Sequence, residues 1–301
     1  MPDIIKYFII LIGFNVMLYS QDTINFKQFD SLKTSSEDSY KGNNSNKTKL
    51  SVNSNNDPDN FDIRLFRKIN NSRSPFKTKV LNTFDNSMLP VVILMTPVQF
   101  IYGRVRQKTY DENTAYLAFT SELTTFTVTF ALKTLVNRKR PLEALQNVNA
   151  KKMPVLDVYS FPSGHSSTTF SLATMYALRY PDYPLVYIPM FVWAATVGYG
   201  RPYFGMHYPS DVLAGALIGS GSSILIYSLR YELFRFKNRV LKEDKNDDGS
   251  INAGVLTFFA GSFFLSAVFD NFIFKEDPGK KFFISPWMDS KRSGINVKWK
   301  L

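Results

Sequence analysis

The sequence predicts an all-α protein, a helical bundle that crosses a membrane about six times. Three observations carry this expectation. Six apolar stretches, at residues 88–102, 115–136, 168–178, 185–199, 212–229 and 255–269, have helical length and are separated by polar turns. Lysine and arginine collect in alternate connections rather than uniformly, the pattern expected of short loops on a cytoplasmic face. Hydrophobic residues make up 45% of the 301 positions, with 27 Phe and 16 Tyr, enough for a sizeable core.

Taken in order, the chain begins with "MPDIIKYFIILIGFNVMLYS", residues 1–20, where one early lysine precedes an apolar run and a small-residue finish. That reads as a secretory signal or an amino-terminal anchor, and either sends the downstream residues out of the cytosol. Residues 21–75 read as a flexible linker, because Asn, Ser, Lys and Asp dominate, most densely up to about Asn60, and offer too little apolar surface to offset ordering. Residues 76–272 form the helical domain and 273–301 a tail. A spanning helix needs about 20 mostly apolar residues, with about 17 as the lower limit, and several of the six runs reach this only with their flanks. A soluble bundle with buried helices is the alternative architecture. In a membrane, Glu122, Thr124, Thr125 and Thr127 are expected to face the bundle interior.

Threading the chain from an inside start puts the first 20 residues and the linker across to the outside, with re-entry through residues 88–102. "GRVRQKTYDEN", "RYPDYP" and "RYELFRFKNRVLKEDKNDDG" then fall inside, as their cations require. Residues 137–165 and 201–211 fall outside, and with them both histidines of the chain. The outer segment nevertheless carries Arg138, Lys139, Arg140, Lys151 and Lys152. A positive outer loop against the charge rule, in a chain of net charge +11, points to a bound anion. The absence of cysteine excludes disulfides, thiolate zinc sites and cysteine nucleophiles together.

Within that outer region, Lys133 and Arg140 are nearly two helical turns apart and share a face if the helix continues to the proline at 141. Pro162, Ser163 and Gly164 precede an apolar run and mark a helix start, whose free N–H groups favour an anion. Gly164 permits close backbone approach, and His165 falls in the first turn. In "GRPYFGMHYPSD", Pro209 and Ser210 begin another helix, with His207 just outside it and Asp211 inside. An Asp four residues on can hydrogen-bond one ring nitrogen and leave the other with a lone pair aimed outward, as a nucleophile or base requires. Arg201 supplies a planar fork suited to phosphate oxygens.

Lys133-x6-Arg140-Pro141, Pro162-Ser163-Gly164-His165 and Arg201-x5-His207-x3-Asp211 together resemble the three signature motifs of the type-2 phosphatidic-acid phosphatase superfamily, shared with vanadium haloperoxidases and class A acid phosphatases. The resemblance covers roughly residues 80–230. It implies a helical phosphatase in which His207 attacks phosphorus, Asp211 orients it, and His165 protonates the leaving group and then activates water. Lys133, Arg140, Arg201, Ser163 and the Gly164 N–H would hold the phosphate oxygens, with no metal and no cofactor. The partners implied are a phosphorylated lipid and a membrane, not nucleic acid, with vanadate as an inhibitor. The setting implied is a bacterial inner membrane with the site on its periplasmic face. One position departs from the pattern: Gly200 stands where the family usually has serine. A soluble periplasmic acid phosphatase and a vanadium haloperoxidase are the alternative activities.

Two further features lie outside this set. "DKNDDGSINAGV", residues 244–255, opens like a calcium loop but has Val255 where a bidentate Glu belongs, so a polar turn is expected. "GINVKWKL", at the end of the tail, alternates as a strand does.

Overall fold

A computed structural model of the chain describes residues 60–151, 159–247, 255–268, 282–289 and 292–299. The expected leader at residues 1–20 lies outside them, as do most of the linker and residues 248–254 of the calcium-like segment. The described helices are α1 (Phe61–Asn70), α2 (Pro75–Val105), α3 (Thr109–Val136), α4 (Pro141–Ala144), α5 (Gly164–Arg179), α6 (Pro184–Tyr203), α7 (Pro209–Ser228), α8 (Arg230–Leu241) and α9 (Val255–Val268). An antiparallel hairpin pairs β1 (Phe282–Asp289) with β2 (Arg292–Trp299), so the alternating tail does include a strand. Each of the six apolar stretches lies in a helix over its described residues, except at Leu229, the residue that caps α7.

The helices pack around a core that includes Met88, Met95, Leu117, Leu172, Tyr176, Met190 and Trp193. Two helices, α2 and α7, are long and apolar enough to cross a membrane; α9 is apolar but shorter. Among the described residues, two of the six expected spans meet this criterion. Polar side chains on α3 divide. Glu122 and Thr125 are buried as expected, and Thr125 reaches Ser171 Oγ at 3.1 Å. Thr127 instead faces outward, its hydroxyl donating to the Leu123 carbonyl at 2.9 Å, and half-buried Thr124 likewise donates to Thr120. Such back-bonding removes the need for an interior partner.

Two boundaries differ from the sequence reading. Residues 61–70, expected as linker, form α1, because its buried Ile63 and Phe66 meet Leu145 and Tyr208 and Asn60 caps it by accepting from the Ile63 N–H at 2.8 Å. The helix bearing Lys133 ends at Val136 rather than running to Pro141, because Asn137 takes the left-handed conformation (φ 52°, ψ 35°), which asparagine tolerates at a helix end. Lys133 and Arg140 therefore share no helical face. Arg140 sits in extended backbone as the residue preceding α4.

Helices α5 and α7 pack most closely. A Cβ on Gly215 would come within 2.5 Å of the Ser163 carbonyl oxygen, and one on Gly219 would overlap the Ser167 carbonyl. The two glycines let the backbones meet, as small residues do between membrane helices. This contact sets the start of α5 beside the start of α7.

Candidate active site

The ends of four helices converge at one end of the bundle: α3 and α6 finish there, and α5 and α7 begin there. The main chain ties them directly. Ser160 N–H donates to the Arg138 carbonyl at 2.7 Å, Ser163 N–H to the Asp211 carbonyl at 3.0 Å and Met206 N–H to the Arg201 carbonyl at 3.0 Å. An isolated antiparallel bridge joins Lys139 to Tyr159. The three sequence motifs are thus held together by backbone.

His207 is buried, and its Nδ1 lies 2.6 Å from the Ser160 carbonyl oxygen. A carbonyl can only accept, so Nδ1 carries a proton, and in the neutral ring the lone pair is on Nε2. The orienting acceptor is this backbone oxygen and not Asp211, whose Oδ2 is 3.8 Å from Nδ1, beyond hydrogen-bond reach. The Asp211 carboxylate, with no exposed surface, is engaged elsewhere. Its Oδ2 accepts from the Tyr208 N–H at 2.8 Å and from the Ser160 hydroxyl, and its Oδ1 accepts from Arg138 Nη1 at 2.6 Å. Asp211 thus holds His207 through Ser160 and through charge.

The remaining candidates surround this pair. Lys133 is buried and donates to the Tyr159 carbonyl at 2.8 Å. Buried Arg140 reaches the carbonyl of Met206, the residue before His207, at 3.4 Å. Ser163 caps α5, its hydroxyl accepting from the Ser166 N–H and lying 2.9 Å from Ser166 Oγ. A Cβ on Gly164 would meet no atom within 4 Å, so open space adjoins that backbone. His165 is half-buried in the first turn of α5. At Gly200 a Cβ would come no nearer than 3.6 Å to Phe204, so packing does not demand the glycine found in place of the family's serine.

Three residues escape the motif reading. Asp85, on α2, is buried and pairs with Arg201 Nη1 and, at 3.0 Å, with Lys151 Nζ; it also lies within electrostatic reach of His165. Ser160 supplies both the carbonyl and the hydroxyl described above. Asp62 of α1 accepts from Arg138 Nη2 at 2.7 Å and from the Ser210 N–H at 2.9 Å. Burial alone would pull the Arg138 guanidinium down, but Asp62 and Asp211 outweigh it and hold the group above its ordinary value. The only sequence signal near these residues is the excess of cations in 137–165, which points to a bound anion rather than to carboxylates of the chain itself.

A helical bundle that gathers two histidines, a buried carboxylate and several buried cations at the meeting of helix ends defines a class of protein built to handle an anion. Residues 114–235 match the model of the PAP2 superfamily. It is 26% identical over 184 residues to the lipid A 4'-phosphatase of Bacteroides thetaiotaomicron, a match covering 58% of this chain and 78% of that one. It is 42% identical over 66 residues to the lipid A 1-phosphatase of Rhizobium johnstonii, covering 22% of this chain and about a quarter (26%) of that relative. Among solved structures, Aquifex aeolicus LpxE aligns with a TM-score of 0.48 and 28% identity over 57% of this chain and 97% of that one.

Proposed function

We propose that this protein is a membrane phosphatase that hydrolyses a phosphate monoester or diphosphate of a lipid through a phosphohistidine intermediate. The observation that carries the reading is His207: its Nδ1 is committed to the Ser160 carbonyl at 2.6 Å, so in the neutral ring Nε2 is the nitrogen that bears the electron pair. In the first step that pair bonds to phosphorus as the phosphorus–oxygen ester bond breaks, and His165 gives the departing oxygen a proton. The buried Asp211 charge, 3.8 Å from Nδ1, stabilises the positive charge that the ring gains once Nε2 has bonded to phosphorus. In the second step His165 takes a proton from water, the water oxygen bonds to phosphorus, and the bond to His207 breaks. Lys133, Arg140, Arg201, Ser163 and the Gly164 N–H hold the equatorial oxygens, where charge spreads in the transition state.

A lipid substrate is supported by the two apolar helices α2 and α7, and by the names of the relatives, which act on lipid A phosphates. In this reading the six apolar helices span the inner membrane, the site opens to the periplasmic side, and the acyl chains stay in the bilayer.

The test is phosphate release by detergent-purified protein from lipid A phosphates, phosphatidic acid, phosphatidylglycerol phosphate, undecaprenyl diphosphate and a soluble ester. His207→Ala is expected to lower release by at least about a thousandfold, and vanadate to inhibit the wild type. Undiminished turnover in the variant removes His207 as nucleophile. Release of the protein from membranes by alkali alone removes the lipid-embedded arrangement.

A further inference from the structure

We propose that Arg138 is a positioning residue for the His207–Asp211 pair and that Asp62 of α1 anchors it there. This rests on the reading of His207 as the nucleophile. Arg138 falls at an unspecified position of the first motif, between Lys133 and Arg140, yet its guanidinium spans the site's margin. Nη1 donates to Asp211 Oδ1 at 2.6 Å and to Ser210 Oγ at 2.7 Å, and Nη2 donates to Asp62 Oδ2 at 2.7 Å. The plane lies over the Tyr208 ring, 3.9 Å from its centroid, so a flat delocalised cation is required rather than a point charge. Asp62 in turn accepts from the Ser210 N–H at 2.9 Å and from its hydroxyl. A carboxylate on α1 thus caps the first turn of α7, 148 positions away in the chain.

The chemical consequence lies in where Asp211 spends its charge. An uncompensated carboxylate 3.8 Å from His207 would favour the imidazolium, which has no lone pair for phosphorus. Arg138 offsets that charge and keeps Oδ1 turned away from the ring, while Asp62 draws part of the Arg138 charge back. Of the other ionisable groups at this end, Lys133 donates to the Tyr159 carbonyl and Arg140 to that of Met206, while Arg201 and Lys151 pair with Asp85, within electrostatic reach of His165. The Asp62–Arg138–Asp211 chain is therefore the adjustable charge beside the nucleophile.

The experiment is the pH profile of kcat/KM for wild type, Arg138→Gln, Arg138→Lys and Asp62→Asn, on one lipid phosphate. Ionisation of the substrate is common to all four and cancels in the comparison. Arg138→Gln is expected to move the acid limb up by about one pH unit, as an opposing charge at this range does. Asp62→Asn, which leaves the Arg138 charge undivided on Asp211, moves it down. Arg138→Lys keeps the limb near its wild-type position but lowers kcat, because one ammonium cannot reach Asp211, Ser210 and Asp62 together. Active Arg138→Gln and Asp62→Asn proteins with unshifted acid limbs overturn the proposal. If His207→Ala retains full turnover, the reading beneath it fails instead, so the two failures are distinct.

Discussion

The proton on His207 Nδ1 is fixed by a main-chain oxygen, and that has a consequence for how individual residues can be replaced. A backbone carbonyl cannot be removed by substitution, so the tautomer survives changes at Asp211, whereas the charge near the ring does not. Gly164 presents the opposite case. Its missing side chain leaves empty space with nothing within 4 Å, so Gly164→Ala is expected to keep the folded state within about 1 kcal/mol. The methyl would occupy the space where phosphate approaches, and KM is expected to rise about tenfold or more with thermal stability unchanged. Kinetics and melting on the same preparation check both halves. The motif segments were legible because their residue types and order stand in the chain itself, and the structure brings them to one end of the bundle. Asp85, Ser160 and Asp62 were not. Their roles rest on contacts across 116, 51 and 148 positions respectively, with no periodicity or local spacing to betray them.

At the scale of elements, the contact between α5 and α7 decides whether the site assembles. Gly215 and Gly219 face the Ser163 and Ser167 carbonyls, so a side chain there pushes the α5 N-terminus, with Ser163 and His165, away from His207. Gly219→Val is expected to destabilise the protein by about 1–3 kcal/mol and to cost activity even in the fraction that folds. Gly221→Ala, where a Cβ meets nothing within 4 Å, is the control and should behave as wild type in both assays. Apolar runs marked the helices well, since burial demands apolar length whatever the neighbours. Helix ends were harder. Pro141 looked like the terminator of α3, but Asn137 ends it first by taking a left-handed conformation. Similarly, α1 was hidden by polar composition: its ten residues bury few apolar side chains and rely on Asn70, whose amide donates to the Pro202 and Tyr203 carbonyls at 3.2 and 3.0 Å.

The molecule as a whole is clasped at the end opposite the histidines. Glu112 meets Arg104 at 3.2 Å, Lys237 at 2.8 Å and Lys245 at 3.1 Å, and Arg179 grips Asp247 through both oxygens. The commitment of Asp247 to Arg179 and Asn113 fits a structural turn at residues 244–247. Glu243 closes the cluster. Burial alone would raise its carboxyl, but Arg104 and then Lys245 outweigh this and hold it below the ordinary range. A carboxyl depressed in the folded state contributes its full stability above the unfolded value of about 4.3 and loses it as pH falls through the lower folded value. Melting of wild type and Glu243→Gln across pH 3 to 6 should therefore show a wild-type advantage that is constant at the upper end and disappears towards the lower. The cations of these loops were legible as a topological signal. Their carboxylate partners were not, because a charge count records the excess and hides the pairs.

The ion pair between Asp85 and Arg201 bears on turnover as well as on architecture. A pocket lined only with unpaired cations would hold phosphate product as firmly as substrate. Here Arg201 already has a resident carboxylate, shared with Lys151, so in the proposed function an arriving phosphate would enter by exchange of counter-ions. The binding free energy is then the difference between two ion pairs rather than the whole of one. Under that proposal such a site would take up a dianion without retaining it, and on departure of inorganic phosphate Asp85 would take its place.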